Sequence, residues 1–168
     1  MKPYSIDKLG EEILEILHLN ALSSHEDIAK QLDIPKDKVS SYVTQFEQDG
    51  IILGYRTLIN WQRIRQHDVK ALIEVKVTPE RSVGFDSIAE QIYRFQEVES
   101  VSLLSGSYDL LVQVLGENLK EVALFVSEKL ATIEGVQSTV SHFMLKKYKE
   151  EGVILVDQIE SKRLPISP

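Results

Sequence analysis

The 168 residues contain no cysteine. Disulfides, thiol catalysis and cysteine-based zinc sites are thereby excluded, and a cytoplasmic protein is the default expectation. Long apolar runs are missing too. Nothing approaches the ~18 consecutive apolar residues of a membrane span. The opening "MKPYSIDKLGEEILEIL" is interrupted by charges where a secretory signal needs an unbroken apolar stretch. Positive charge is scarce: 19 Lys and Arg face 26 Asp and Glu, a net charge of −7. That argues against a non-specific polyanion binder, because phosphate affinity comes from clustered cations. Residues 1–60 hold 6 basic and 10 acidic side chains, residues 61–168 hold 13 and 16, so any basic surface must be local. No Gly-x-x-x-x-Gly-Lys phosphate loop occurs. His18, His25, His67 and His142 show no metal-ligand spacing, and no Ser-His-Asp order with supporting glycines is found. No cofactor, metal or catalytic residue is therefore expected.

What the chain does have is periodicity. In "SIDKLGEEILEILHLN" Leu9, Ile13, Ile16 and Leu17 share a helical face, and Ser5 or Asp7 can cap it. Gly10 is an anomaly within that pattern. "ALSSHEDIAKQLDI" is a second helix, with Ser23–Glu26 or Ser24–Asp27 as capping box and Ile28, Ala29 and Leu32 as apolar face. Pro35 disfavours helix at Ile34 and suits the first turn of a third helix, Lys36 to Asp49, which buries Val39, Val43 and Phe46 beside Tyr42. Gly50 ends it. Two helices joined by so tight a break form a helix-turn-helix pattern. The following "IILGYRTLIN" is β-prone, suiting a small wing or a strand leading out, and "WQRIRQHD" reads as a hinge with Trp61 as a packing anchor between domains.

Beyond the hinge the period changes to two. "ALIEVKV" alternates, with Ala71, Ile73, Val75 and Val77 on one face. "FDSIAEQIYRF" is helical, with Phe85, Ile88, Ile92 and Phe95 in one stripe. "VESVSLL" and "YDLLVQVL" are strands separated by "SGS". "NLKEVALFVSEKLATIEG" is a helix aligning Leu119, Val122, Val126, Leu130 and Ile133, ended by Gly135, and "VQSTVSHFML" is a last strand. The fold class is α+β: a winged-helix-like helix-turn-helix followed by a ferredoxin-like β-α-β-β-α-β domain. The expected division is 1–60 as the helix-turn-helix domain, 61–68 as hinge, 69–149 as the ferredoxin-like domain, and 150–168 as a tail with mobile final residues. Helices cover only one face of such a sheet, so the other, bearing Leu72 and Leu111, favours dimerisation.

The segments "ALSSHEDIAKQLDIPKDKVSSYVTQFEQDGIILGY", "LLSGSYDLLVQV" and "GVQSTVSHFML", in this order, resemble the Lrp/AsnC family of transcriptional regulators over roughly residues 5–149. Gly106, Ser107, Tyr108 and Asp109 resemble that family's Gly-x-x-Asp signature. The resemblance implies an N-terminal DNA-binding domain, a C-terminal amino-acid-sensing domain, and dimers assembling into larger rings, often octamers. Family recognition helices usually carry arginine around the positions held here by Ser41, Tyr42 and Gln45; this helix has no arginine and sets two lysines against three acids.

The candidate DNA contacts are Lys36, Lys38, Ser40, Ser41, Thr44, Gln45 and Arg56, with Arg63 and Arg65 as further phosphate partners. Lys38, Ser41 and Gln45 share a face; Gln pairs with adenine and Ser with several base edges, while Ser40 and Thr44 suit phosphates near a helix N-terminus. The candidate effector residues are Ser105, Gly106, Ser107, Tyr108 and Asp109. Gly106 permits a tight turn and close backbone approach, loop N–H groups can meet a carboxylate, and Asp109 can meet an ammonium; in the plainer reading Asp109 caps backbone donors of a turn. The expected function is sequence-specific, amino-acid-responsive transcriptional regulation. The alternative is an oligomeric sensor with weak or lost DNA binding that acts through protein partners, which the acidic first 60 residues favour. An enzyme is disfavoured, since the sheet offers only His142, Tyr108 and Asp109.

Overall fold

A computed structural model describes residues 5–64, 68–78 and 84–156. The chain packs as two units, Met1–Ile59 and Asn60–Pro168. The expectations for Arg65, His67 and the final residues fall outside the described residues.

The first unit holds three helices, α1 (Lys8–Leu19), α2 (His25–Leu32) and α3 (Lys36–Gln48). Each begins where local chemistry supplies a start. Asp7 caps α1 by accepting from the Gly10 N–H at 2.8 Å. Ser24 caps α2 through the Asp27 N–H at 3.1 Å, and its hydroxyl donates to the Asp27 carboxylate at 2.6 Å. Pro35 is the N-cap of α3 rather than its first residue. Asp33, left-handed at φ 53°, turns the chain between α2 and α3. Ile13, Leu17, Ile28, Ala29, Val39 and Val43 form the core. Gly10 has a packing reason: a Cβ there would lie 2.7 Å from Ile6 Cγ2 and 2.9 Å from Phe46 Cζ. Residues 51–60 contain no strand, so the expected wing or exit strand is absent from this β-prone stretch.

The second unit starts with a short 3₁₀ turn, Trp61–Arg63, and builds β1 (Val69–Val77), α4 (Asp86–Tyr93), β2 (Val98–Leu103), β3 (Leu110–Gly116), α5 (Leu119–Leu124) and β4 (Val136–Phe143). The four strands form an antiparallel sheet in the order β2-β3-β1-β4, the ferredoxin-like arrangement. Alternation sorts the two faces. Ala71, Ile73, Val75, Val77, Leu110, Val112 and Val114 turn toward α4 and α5 and pack with Ile88, Ile92, Val122, Phe125 and Leu130. Leu72, Glu74, Leu111, Gln113, Val140 and His142 turn the other way, and no helix among the described residues of this unit covers them.

The last helix departs from the single α-helical stripe expected of it. After α5 the chain widens into a π turn, Phe125–Lys129, and then tightens into a 3₁₀ turn, Leu130–Thr132. A π turn inserts extra chain into the helical repeat. Phe125, three residues beyond Val122 and so on the same face, is 3% exposed, while Leu119 at the start of α5 stands 57% exposed. Gly135, at φ 90°, ends the segment where a Cβ would meet Ile88 Cδ1 at 2.7 Å. Among the described residues, the tail adds no strand to the main sheet. Lys149–Glu150 (β5) and Val153–Ile154 (β6) pair with each other, and the Leu155 carbonyl accepts from the Asn60 amide at 2.8 Å.

Candidate nucleic-acid interface and effector loop

α3 buries Val39, Val43 and Phe46 against its own unit. At ~100° per residue, the line diametrically opposite runs through Asp37, Ser41, Thr44 and Gln48. All four are exposed. Lys38 and Gln45 flank this line on one side. Lys36 and Ser40 lie on the other, nearer the core. The expected contact residues thus occupy a broad arc rather than one stripe; Gln48 belongs to the same polar face, and Asp37, outside the expected set, completes its centre. Counting the full helical wheel, rather than choosing residue types that suit DNA, would have included Asp37.

The side chains of this arc are held to different degrees. Ser40 is half-buried, with its hydroxyl 2.9 Å from His25 Nδ1, so it ties α3 to the start of α2. Gln45 donates from Nε2 to the Asp49 carboxylate at 2.8 Å, an intrahelical bond that base contact would have to exchange. Ser41 and Thr44 make no side-chain hydrogen bond among the described residues. Lys36, Lys38 and Arg56 are exposed and form no ion pair there. Tyr42, at a position where the resemblance leads one to expect arginine, is turned inward. Its hydroxyl donates to Asp7 at 2.6 Å, and its ring packs at 5.8 Å from that of Phe46. The Tyr42 and Gly10 hydrogen bonds hold the Asp7 carboxyl below its usual range, with the Lys38 charge assisting. The same bond pushes the Tyr42 phenol up.

In the second unit, residues 104–109 join β2 to β3. Ser105, Gly106 and Ser107 are exposed; Tyr108 and Asp109 are half-buried. Asp109 is committed to the sheet. One of its oxygens accepts from the Val77 N–H at 3.0 Å, just beyond the last β1–β3 pair, and Lys76 Nζ lies 3.3 Å away. Its main chain bonds Val75 and Leu104. The Val77 hydrogen bond, followed by Lys76, holds the Asp109 carboxyl below its ordinary value. Gly106 is not in the left-handed region, and a Cβ there would meet nothing within 4 Å. The tight turn expected at Gly106 is therefore not what requires a glycine in this chain. A cleft of about 240 Å³ lies at the opposite end of β3, lined by Glu97, Val114, Phe125 and Lys129 among others, and none of residues 105–109 lines it. No cluster of three potential metal ligands occurs among the described residues, nor is any helix there long and apolar enough to cross a membrane.

Two family models match in the order of the two units. Residues 6–52 match a winged helix-turn-helix DNA-binding domain, and residues 70–154 match the Lrp/AsnC ligand binding domain. The chain belongs to the Lrp/AsnC family. A curated relative from Bacillus subtilis strain 168, the uncharacterized HTH-type transcriptional regulator YugG, is 48% identical over 158 residues, 94% of this chain and 95% of its own. Among solved structures, Escherichia coli AsnC superposes with a TM-score of 0.69 at 24% identity, covering 88% of this chain and 97% of its own. The Neisseria meningitidis regulator NMB0573, solved as a complex with L-Met, superposes with a TM-score of 0.70 at 24% identity, covering 87% and 94%. This Lrp/AsnC chain is accordingly a DNA-binding transcriptional regulator with a ligand-binding domain, and its family is one of regulators rather than enzymes.

Proposed function

We propose that this Lrp/AsnC regulator reads double-stranded DNA through the outward arc of α3 and responds to an amino acid or related small effector bound near Ser105–Asp109. The observation that carries the DNA contacts is the unpaired polar surface of α3. Ser41, Thr44, Lys38 and Lys36 project from a packed helix-turn-helix with no side-chain hydrogen bond or close ion pair among the described residues. Ser and Gln are base-edge partners in a major groove, and the lysines and Arg56 suit phosphates. The effector reading is supported by the ligand-binding domain match and by the L-Met complex of the Neisseria neighbour. Loop 104–109 lies open along one side. A second copy of the chain is the economical way to close it into a site.

The uncovered sheet face supports a homodimer, with higher assembly to a ring such as an octamer, working in the cytoplasm. Leu72, Leu111 and Val140 supply apolar contact there, framed by Glu74–His142 (3.0 Å) and Lys70–Glu99 (2.8 Å). A specific observation favours a second reading, a sensor acting through protein partners: the recognition helix lacks arginine and the first 60 residues are acidic. Thermal-shift and calorimetric titration with the twenty amino acids tests the effector. One or a few should raise the melting temperature saturably; no response to any of them contradicts amino-acid sensing.

A further inference from the structure

Asp37 sits in the first turn of α3, at the end where helix-turn-helix recognition helices meet base edges. It lies on the line opposite the buried Val39, Val43 and Phe46, in register with Ser41, Thr44 and Gln48. Of the acids on this helix and its cap, Glu47 accepts from the Tyr55 hydroxyl at 2.9 Å and Asp49 from Gln45 at 2.8 Å. Asp37 accepts no hydrogen bond and joins no ion pair among the described residues. A carboxylate has acceptor oxygens only. Against a duplex it is repelled by phosphates and by the acceptors of guanine and thymine edges. In the major groove it is satisfied by an exocyclic amine, and the cytosine N4 amine offers one without the adjacent N7 acceptor that adenine carries.

We propose that Asp37 is a specificity-determining residue that selects a cytosine at one position of each half-site. The inference deepens the reading of α3 as the DNA-contacting helix and rests on it. The competing explanation is that Asp37 only complements the positive end of the helix dipole. That role affects helix stability and leaves base preference untouched.

The test is selection of bound duplexes from a random pool by the full-length wild type, by Asp37→Asn and by Asp37→Ala. Circular dichroism first establishes that each variant is folded. The wild type should enrich a motif with a fixed cytosine, and replacing that base should weaken binding about tenfold or more. Asp37→Asn should shift the same position toward adenine, because Asn pairs bidentately with adenine N6 and N7. Asp37→Ala should lose preference there alone and keep the rest of the motif. If both variants enrich the wild-type motif unchanged, the role of Asp37 is overturned. If the wild type enriches no sequence at all, the reading of α3 itself is overturned.

Discussion

Asp7 does two jobs with one carboxylate, capping α1 and anchoring Tyr42 of α3. Its pKa is depressed in the folded chain. The stabilisation is therefore present above the ordinary carboxylate value near ~4 and is lost as the pH falls through the lower folded value. Tyr42→Phe removes the main cause. In urea denaturation the wild type should unfold at higher urea than Tyr42→Phe at pH 7, and the gap should narrow as the pH drops toward ~2; a gap independent of pH contradicts the linkage. Gly106 is a different case, since the fold places no demand on it. Gly106→Ala should leave the melting temperature unchanged within about a degree. If an effector backbone or partner loop approaches there, the same substitution should abolish the amino-acid-induced thermal shift. Retention of the full shift would show that Gly106 is not a site of close approach. Cβ collisions at Gly10 show why such positions resist sequence reading. A glycine inside a helical pattern is a defect in propensity, and only the approach of Ile6 and Phe46 explains this one in the first turn of α1.

Helix and strand identities were legible because periodicity and caps are local. α1 to α3 and the four strands of the sheet follow from apolar spacing, and the Ile88 and Ile92 stripe is buried as expected. What was not legible depended on packing across the sheet. Val122, Val126, Leu130 and Ile133 pack in the core as the aligned set expected, whereas Leu119 is exposed and Phe125, outside that set, is buried. The β-prone stretch after Ile51 forms no strand, because β-propensity is realised only against a pairing neighbour. This makes opposite predictions for two helix positions. Phe125→Ala should destabilise by about 3–5 kcal/mol, as for a buried aromatic. Leu119→Ala should change stability by no more than ~0.5 kcal/mol, as for a surface site. Chemical denaturation of the pair checks this, and equal losses would contradict the burial of Phe125 against the exposure of Leu119. The candidate sites were only partly legible. Residue types pointed to Lys38, Ser41 and Gln45, but the Asp49 tether on Gln45, the His25 contact of Ser40 and the inward turn of Tyr42 emerge only from side-chain geometry.

For the whole molecule, the proposed function requires an acidic chain with an arginine-free recognition helix to bind DNA by pairing weak contacts. Two half-sites engaged by one dimer raise the effective concentration of the second contact. The dimer surface proposed for this is the open sheet face. The wild type should sediment as the proposed oligomer in analytical ultracentrifugation, and Leu72→Asp combined with Leu111→Asp, which places two charges on that face, should sediment as monomer with the melting of the second unit retained. An unchanged sedimentation profile would remove that face from the assembly. With few cations at the interface, binding should also depend weakly on salt. The most direct measurement is fluorescence-anisotropy titration of a selected duplex carrying two half-sites, from low to moderate salt, beside a duplex carrying one. Saturable binding that is much tighter to the paired site, with a log–log salt slope far shallower than about −10, is the result predicted. Absence of saturable binding even at low salt, or a slope near −10, would contradict it.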